Sequence, residues 1–165
     1  GGPGGPIPPW ELSPPQLIAD LVRLEASIAL ADDDQMLLVG RRELKSNNSW
    51  MHNIEVLVNG KDRCTLQMNP DDASRLGVEK DSKVLVTSRV GSLEAPVEIT
   101  EAIRSGVVSL PHGWGHTMEG TNTRIATARA GVNSNILTDE KEIDPLSGNS
   151  VLNGIPVKVT RISHN

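Results

Sequence analysis

Six consecutive residues, Pro111-His112-Gly113-Trp114-Gly115-His116, hold most of the chemistry this chain offers. Gly113 and Gly115 let backbone N–H groups come close to a ligand. His112, Trp114 and His116 can stack on a flat ring or exchange hydrogen bonds with it. Two other outcomes fit the same residues. One is a rigid turn capped by a half-buried Trp. The other is a two-histidine metal site, disfavoured because the glycines oppose a presenting helix and no third ligand is evident.

A second polar stretch begins at Gly40 with Arg41 and Arg42 and continues through Ser46, Asn47, Asn48, Ser49, Trp50, Met51 and His52. Guanidinium forks match phosphate oxygens, and Asn amides read the mixed donor and acceptor edges of purines and pterins. Composition alone supports a solvated loop of turn residues equally well. A third stretch, Gly131 to Thr138, carries Asn133, Asn135, Leu137 and Thr138, and taken alone it reads as an Asx turn. There is no nucleophile–base–orienter set, no Walker-type loop and no strand–GxGxxG–helix unit. No residue is assigned a catalytic or metal-ligating role, and the pattern points to binding.

The elements around these loops read as mainly β. Met36–Gly40, Cys64–Met68 and Val107–Leu110 are short apolar runs suited to buried strands. Val84, Val86 and Val90 alternate with Leu85, Thr87 and Arg89 up to a turn at Gly91-Ser92. Leu93, Ala95, Val97 and Ile99 then alternate with Ser92, Glu94, Pro96 and Glu98, as in a hairpin with one buried face. Ile155, Val157 and Val159 repeat the pattern in a last strand. Asn69-Pro70-Asp71-Asp72 opens a short helix that Gly77 stops. Arg41–Asn59 and Pro111–Asn153 read as long polar loops, and loops of that length are usually functional. Ahead of this lies a Gly/Pro-rich lead-in, Gly1–Pro9. An amphipathic helix over about Pro15–Leu30 follows, ended by Asp32-Asp33-Asp34 and read as an arm to a neighbour or a connection between domains. The expected division is residues 1–35 as lead-in plus helix and 36–165 as one β-domain. Without a repeating strand–helix–strand rhythm, a closed barrel fits better than an open parallel sheet.

Composition narrows the function. The chain has 165 residues, 37% apolar, with no Phe or Tyr, so Val, Leu and Ile must fill one core. Trp10, Trp50 and Trp114 sit beside Pro, Gly, Asn or His, which suggests loops. A net charge of −5 and a pI near 5.3 provide no general attraction for nucleic acid or acidic membrane. The apolar runs are too short for membrane insertion. Cys64 is the single cysteine, which excludes an intrachain disulfide and points to a reduced, cytoplasmic setting.

Six segments in this order resemble the C-terminal domain of the molybdopterin oxidoreductases, the dimethyl sulfoxide reductase and formate dehydrogenase family. They are Leu-Leu-Val-Gly-Arg-Arg from Leu37, Ser-Asn-Asn-Ser-Trp-Met-His-Asn from Ser46, and Asn-Pro-Asp-Asp-Ala-Ser-Arg-Leu-Gly-Val from Asn69. Leu-Pro-His-Gly-Trp-Gly-His from Leu110, Gly-Val-Asn-Ser-Asn-Ile-Leu-Thr-Asp from Gly131 and Asp-Pro-Leu-Ser-Gly from Asp144 complete the set. The resemblance, running from Met36 to Ile162, implies an aspartate-decarboxylase-like double-psi β-barrel that binds molybdopterin guanine dinucleotide (bis-MGD). Molybdenum or tungsten would be held by other domains of the parent oxidoreductase, which would be this domain's partners. By carry-over, Arg41 and Ser46–His52 would face a pterin and its phosphates. The His112–His116 loop and Asn133–Thr138 would line the pterin and nucleotide side, and Lys158 would reach the cofactor from the last strand. The formate-dehydrogenase-related branch is the expected context. The alternative is a stand-alone double-psi barrel that binds without molybdenum.

Overall fold

In a computed structural model of the chain, residues 14–29, 34–46, 49–58, 60, 62–117 and 123–162 are described. The lead-in Gly1–Pro9, Leu30, Asp32, Asp33, Asn47 and Asn48 lie outside the described residues. Six strands form where the apolar runs and alternations fall: β1 Met36–Arg41, β2 Leu66–Met68, β3 Lys83–Thr87, β4 Ser92–Ile99, β5 Val107–Pro111 and β6 Ile155–Arg161. They close in the order β1-β5-β2-β4-β3-β6, so every strand has a neighbour on both sides. β1 pairs with β5 and β2 with β4 in parallel, while the remaining four contacts are antiparallel. This is the closed barrel expected.

Alternation decides which side chains fill the interior. Leu93, Ala95 and Val97 of β4 and Ile155, Val157 and Val159 of β6 are buried, while Glu94 and Lys158 point outward. Leu66, Met68, Val84, Val86, Val108 and Leu110 complete a centre that is fully closed to solvent. The core cluster contains no aromatic side chain. β-Branched and Leu/Met side chains suffice because a six-stranded barrel is narrow.

Helices lie ahead of and between the strands. α1 (Pro15–Ala29) leaves Leu17, Leu21 and Leu24 about half exposed, with Asp20 and Arg23 paired at 2.6 Å. The stretch read as one loop from Arg41 to Asn59 begins inside β1, because Arg41 is in register with Pro111 on β5. It also contains α2 (Glu55–Val58). α3 (Pro70–Leu76) forms as its caps require: the Asn69 side chain accepts from the Asp71 N–H at 2.9 Å, and Gly77 adopts φ 64°. Its buried Asp72 accepts from the Gly106 N–H at 2.8 Å and the Ser105 hydroxyl at 3.1 Å, tying α3 to the turn before β5. The 111–153 stretch also holds structure that composition hid, namely α4 (Arg124–Ala128) and a 3-10 turn at Ser134–Leu137.

Candidate functional site

The parallel pairing of β1 and β5 brings two of the candidate loops to one end of the barrel. Gly40 stands opposite Leu110 and Arg41 opposite Pro111, so the chains continuing from residues 42 and 112 leave side by side. β6 enters at the same end, antiparallel to β1, with Ile155 opposite Leu38. The Asn153 side-chain oxygen accepts from the Gly40 N–H at 2.8 Å, and the Gly154 N–H donates to the Leu38 carbonyl at 2.8 Å. Between these segments and the 3-10 turn lies a cavity of about 560 Å³. Leu38, Leu110 and Ile155 form its apolar floor. Gly40, Arg42, His112, Gly113, Asn135 and Thr138 line it with Ser134, Leu152 and Asn153.

The wall formed by the 3-10 turn is fixed from two sides. Asn133 accepts from the Asn135 N–H through its side chain, the Asx geometry foreseen for this segment. The Thr138 hydroxyl donates to the Asn135 carbonyl at 2.7 Å. From the β3–β4 hairpin, Arg89 forms an ion pair with Asp139, whose carboxylate also accepts from the Lys141 N–H. Arg89 first, then the Lys141 N–H, hold the Asp139 carboxyl below its ordinary range.

Other residues expected to contact the cofactor lie outside the lining of this cavity. The Arg41 guanidinium turns into the protein and donates to the carbonyls of Ser109 at 2.6 Å, Thr65 at 2.8 Å and Arg63 at 3.2 Å, with Glu43 alongside. It is a brace between β1, β5 and the approach to β2, while its neighbour Arg42 faces the cavity. Ser46 is buried, its hydroxyl donating to the Glu43 carbonyl. Ser49 and Trp50 are exposed, Trp50 by 82%. Leu137 fills the barrel core instead of the cavity. Lys158 lies on the outer face of β6, in register with Thr87.

His52 and Trp114, both buried, and the partly buried His116 form a separate group next to the cavity-lining His112 and Gly113. Nδ1 of His52 lies 2.6 Å from Nε2 of His116. The His52 ring packs on Trp114 with centroids 4.0 Å apart. Trp114, expected in a loop, is in one, but only 9% of it is exposed. Burial first, then the charge of His116, hold the His52 pKa below its ordinary value. Nε2 of His52 and Nε1 of Trp114 are buried without a hydrogen-bond partner. Gly115 and Gly131 permit the packing around this group. At φ 106°, a Cβ on Gly115 would fall 2.6 Å from Cβ of Asn133, and one on Gly131 would fall 2.7 Å from Sγ of Cys64. The Cys64 thiol accepts from the Val132 N–H at 3.2 Å, and burial pushes its pKa up to about 11. It is a packing residue.

Sequence reasoning missed Leu152, Asn153 and the three floor residues, while Ser134 fell within the expected Asn133–Thr138 stretch. The floor residues carried no distinguishing signal, since each reads as an ordinary strand residue. Asn153-Gly154, an amide beside a glycine just before a strand, is a pattern that could have flagged this contact with β1.

The family model for the Molydopterin dinucleotide binding domain matches residues 36–156, starting at the first residue of β1. The chain belongs to this family. A molybdopterin-binding domain is thus the identity of the barrel, and its fold is the double-psi β-barrel. Among relatives, the molybdopterin-containing component of the arsenate respiratory reductase of Chrysiogenes arsenatis is 34% identical over 87 residues, 50% of this chain and 10% of that protein. A tetrathionate reductase of Salmonella typhimurium is 27% identical over 112 residues, 58% of this chain and 11% of that protein. A formate dehydrogenase of Methanocaldococcus jannaschii is 35% identical, in its alpha component, over 97 residues, 59% of this chain and 12% of that protein. Acetylene hydratase from Pelobacter acetylenicus superposes with a TM-score of 0.64 at 22% identity, covering 87% of this chain and 20% of that one. The chain thus spans about a tenth of the length of the relatives it matches in sequence. Among the described residues no helix is long and apolar enough to cross a membrane, and no group of three His, Cys, Asp or Glu could hold a metal.

Proposed function

We propose that this molybdopterin-binding domain holds the guanine dinucleotide form of the cofactor in the cavity between β1, β5, β6 and the 3-10 turn. In this reading it is the cofactor domain of a larger molybdenum or tungsten oxidoreductase. The observation that carries the reading is the lining of that cavity, an apolar floor under a rim of polar groups set on rigid elements. Its 560 Å³ falls within the roughly 300–1,000 Å³ of small-molecule and cofactor sites.

The residues fit the group. The Arg42 guanidinium matches a pyrophosphate. The amides of Asn135 and Asn153 and the ring of His112 offer donors and acceptors to a heterocycle edge. Gly40 and Gly113 make backbone part of the wall, and a Cβ at position 40 would stand 3.6 Å from Nδ1 of His112. When bound, the cofactor supplies metal-centred electron transfer, and the domain contributes binding, orientation and exclusion of water. The relatives' names mention arsenate, tetrathionate and formate at similar identities, so domains of this kind accompany different substrates. The formate-related branch therefore has no support here beyond one of three relatives.

Guanosine diphosphate, the nucleotide portion of the proposed ligand, tests the reading. Titrated into the ¹⁵N-labelled chain, it is expected to shift Gly40, Arg42, His112, Asn135 and Thr138 amides saturably. Absent shifts, or shifts confined to another face, would remove the assignment.

A further inference from the structure

The His52–Trp114–His116 group has the geometry of a lock between two loops. His52 belongs to the 49–53 loop and is 2% exposed; its Nδ1 reaches Nε2 of His116, 64 residues away in the chain, at 2.6 Å. Trp114, in the same loop as His116, covers the face of the His52 ring, and His116 meets that ring edge-on with centroids 4.8 Å apart. The next residue continues the grip: the Asn53 side-chain oxygen accepts from the N–H groups of Ile125 and Ala126 at the start of α4. On the far side the Gly115 and His116 N–H groups both donate to the Ala130 carbonyl, at 2.7 and 3.2 Å. The 112–116 loop is thus held at its His116 end by one side-chain bond and one backbone carbonyl. At its other end it supplies His112 and Gly113 to the cavity.

Two imidazole nitrogens at 2.6 Å require one proton between them, one ring donating and the other accepting. If both rings carry two protons, two N–H groups point at each other and two positive charges face one another, one of them on the buried His52 ring. The ionisable group acting on His52 is His116, and its other neighbour is the neutral indole of Trp114. No carboxylate among the groups acting on His52 offsets a second charge. The unpartnered Nε2 of His52 means that a proton added there gains no protein acceptor.

We propose that His52 is a positioning residue acting through His116 and Trp114: the singly protonated pair locks the 112–116 loop beside the cavity, and protonation of both rings releases it. The consequence for ligand retention rests on the cofactor reading above, but the lock itself does not. It is therefore tested without ligand.

The full chain with Trp10→Phe and Trp50→Phe leaves Trp114 as the sole fluorophore. Between about pH 7 and about pH 4, a window set low because burial and His116 hold the His52 pKa below its ordinary value, its emission is expected to be quenched by imidazolium formation at His52. Over the same range, exchange of the Gly115 and His116 amides, corrected for intrinsic chemistry, should rise at least about tenfold while β3 and β4 amides stay protected. His52→Gln, which retains a donor and an acceptor but does not titrate, should abolish both responses. If circular dichroism shows that His52→Gln fails to fold, His116→Gln takes its place and must lose the exchange response, while the Trp114 quench persists because His52 still titrates beside it. Unchanged corrected exchange at Gly115 and His116, or an identical exchange response in the folded Gln variant, overturns the proposal. A failed guanosine diphosphate titration leaves it standing.

Discussion

Gly91, at the turn of the β3–β4 hairpin, lies directly against Ile136 in the 3-10 turn: a Cβ at position 91 would fall 2.5 Å from the Ile136 carbonyl oxygen and 2.9 Å from its Cγ2. The close partner is backbone, so it cannot swing aside as a flexible side chain would. Gly91→Ala is expected to push the 3-10 turn away from the hairpin, at a cost of about 1–3 kcal/mol for overpacking. Amide shifts should concentrate at Asn135 and Thr138, and guanosine diphosphate binding should weaken. A variant with wild-type stability and unshifted turn amides would contradict the contact.

The two adjacent arginines should separate stability from binding. Arg41→Ala removes the donors to Ser109, Thr65 and Arg63 and strands buried carbonyls. A loss of about 2 kcal/mol, or about 4–8 °C in Tm for a chain of this size, is expected. Arg42→Ala should leave Tm within about 1 °C and lower nucleotide affinity roughly tenfold, as loss of a charged phosphate contact would. Thermal melts and the same titration read both, and a reversed pattern would return Arg41 to the ligand.

Acid should reveal the Arg89–Asp139 pair. Because the native Asp139 carboxyl titrates below its ordinary 3.8, the unfolded chain takes up this proton first as pH falls. The contribution is complete above that value and disappears as pH drops through the lower native one. Urea unfolding of wild type and Asp139→Asn across about pH 6 to about pH 2.5 should therefore show a stability gap that closes in acid. A gap that is constant or widens as pH falls would rule out the pairing as its source.

Cys64 should be chemically quiet. With its pKa at about 11, only about one thiol in a thousand is ionised at pH 8. Iodoacetamide labelling in the folded chain should run at least about a hundredfold slower than on glutathione, and reach the free rate in urea. Rapid labelling of the native protein would mean that the site opens.

Much of the barrel was legible because strand periodicity is local. The alternation in β4 and β6 and the Asn69 and Gly77 caps each need only their neighbours in sequence. The candidate loops were legible as loops but not in their aim. Arg41 and Arg42 are equally apt for phosphate. Which one turns inward depends on carbonyls of Thr65 and Ser109, 24 and 68 residues away. His52 reads as a ligand group until its partner 64 residues on is known. Lys158 is the opposite case. Alternation with Val157 and Val159 already put it on the outer face, and the family resemblance drew it toward the cofactor.

The 3-10 turn has consequences for how long a ligand stays. Asn135 and Thr138 face the cavity while Leu137, between them, is sealed in the barrel interior. Peeling this wall back exposes a buried leucine, which costs roughly 2–3 kcal/mol and limits the open form to about one molecule in a hundred. Under the proposed function, trimming Leu137 to Ala would loosen a wall it never shares with the ligand and shorten occupancy through the dissociation rate.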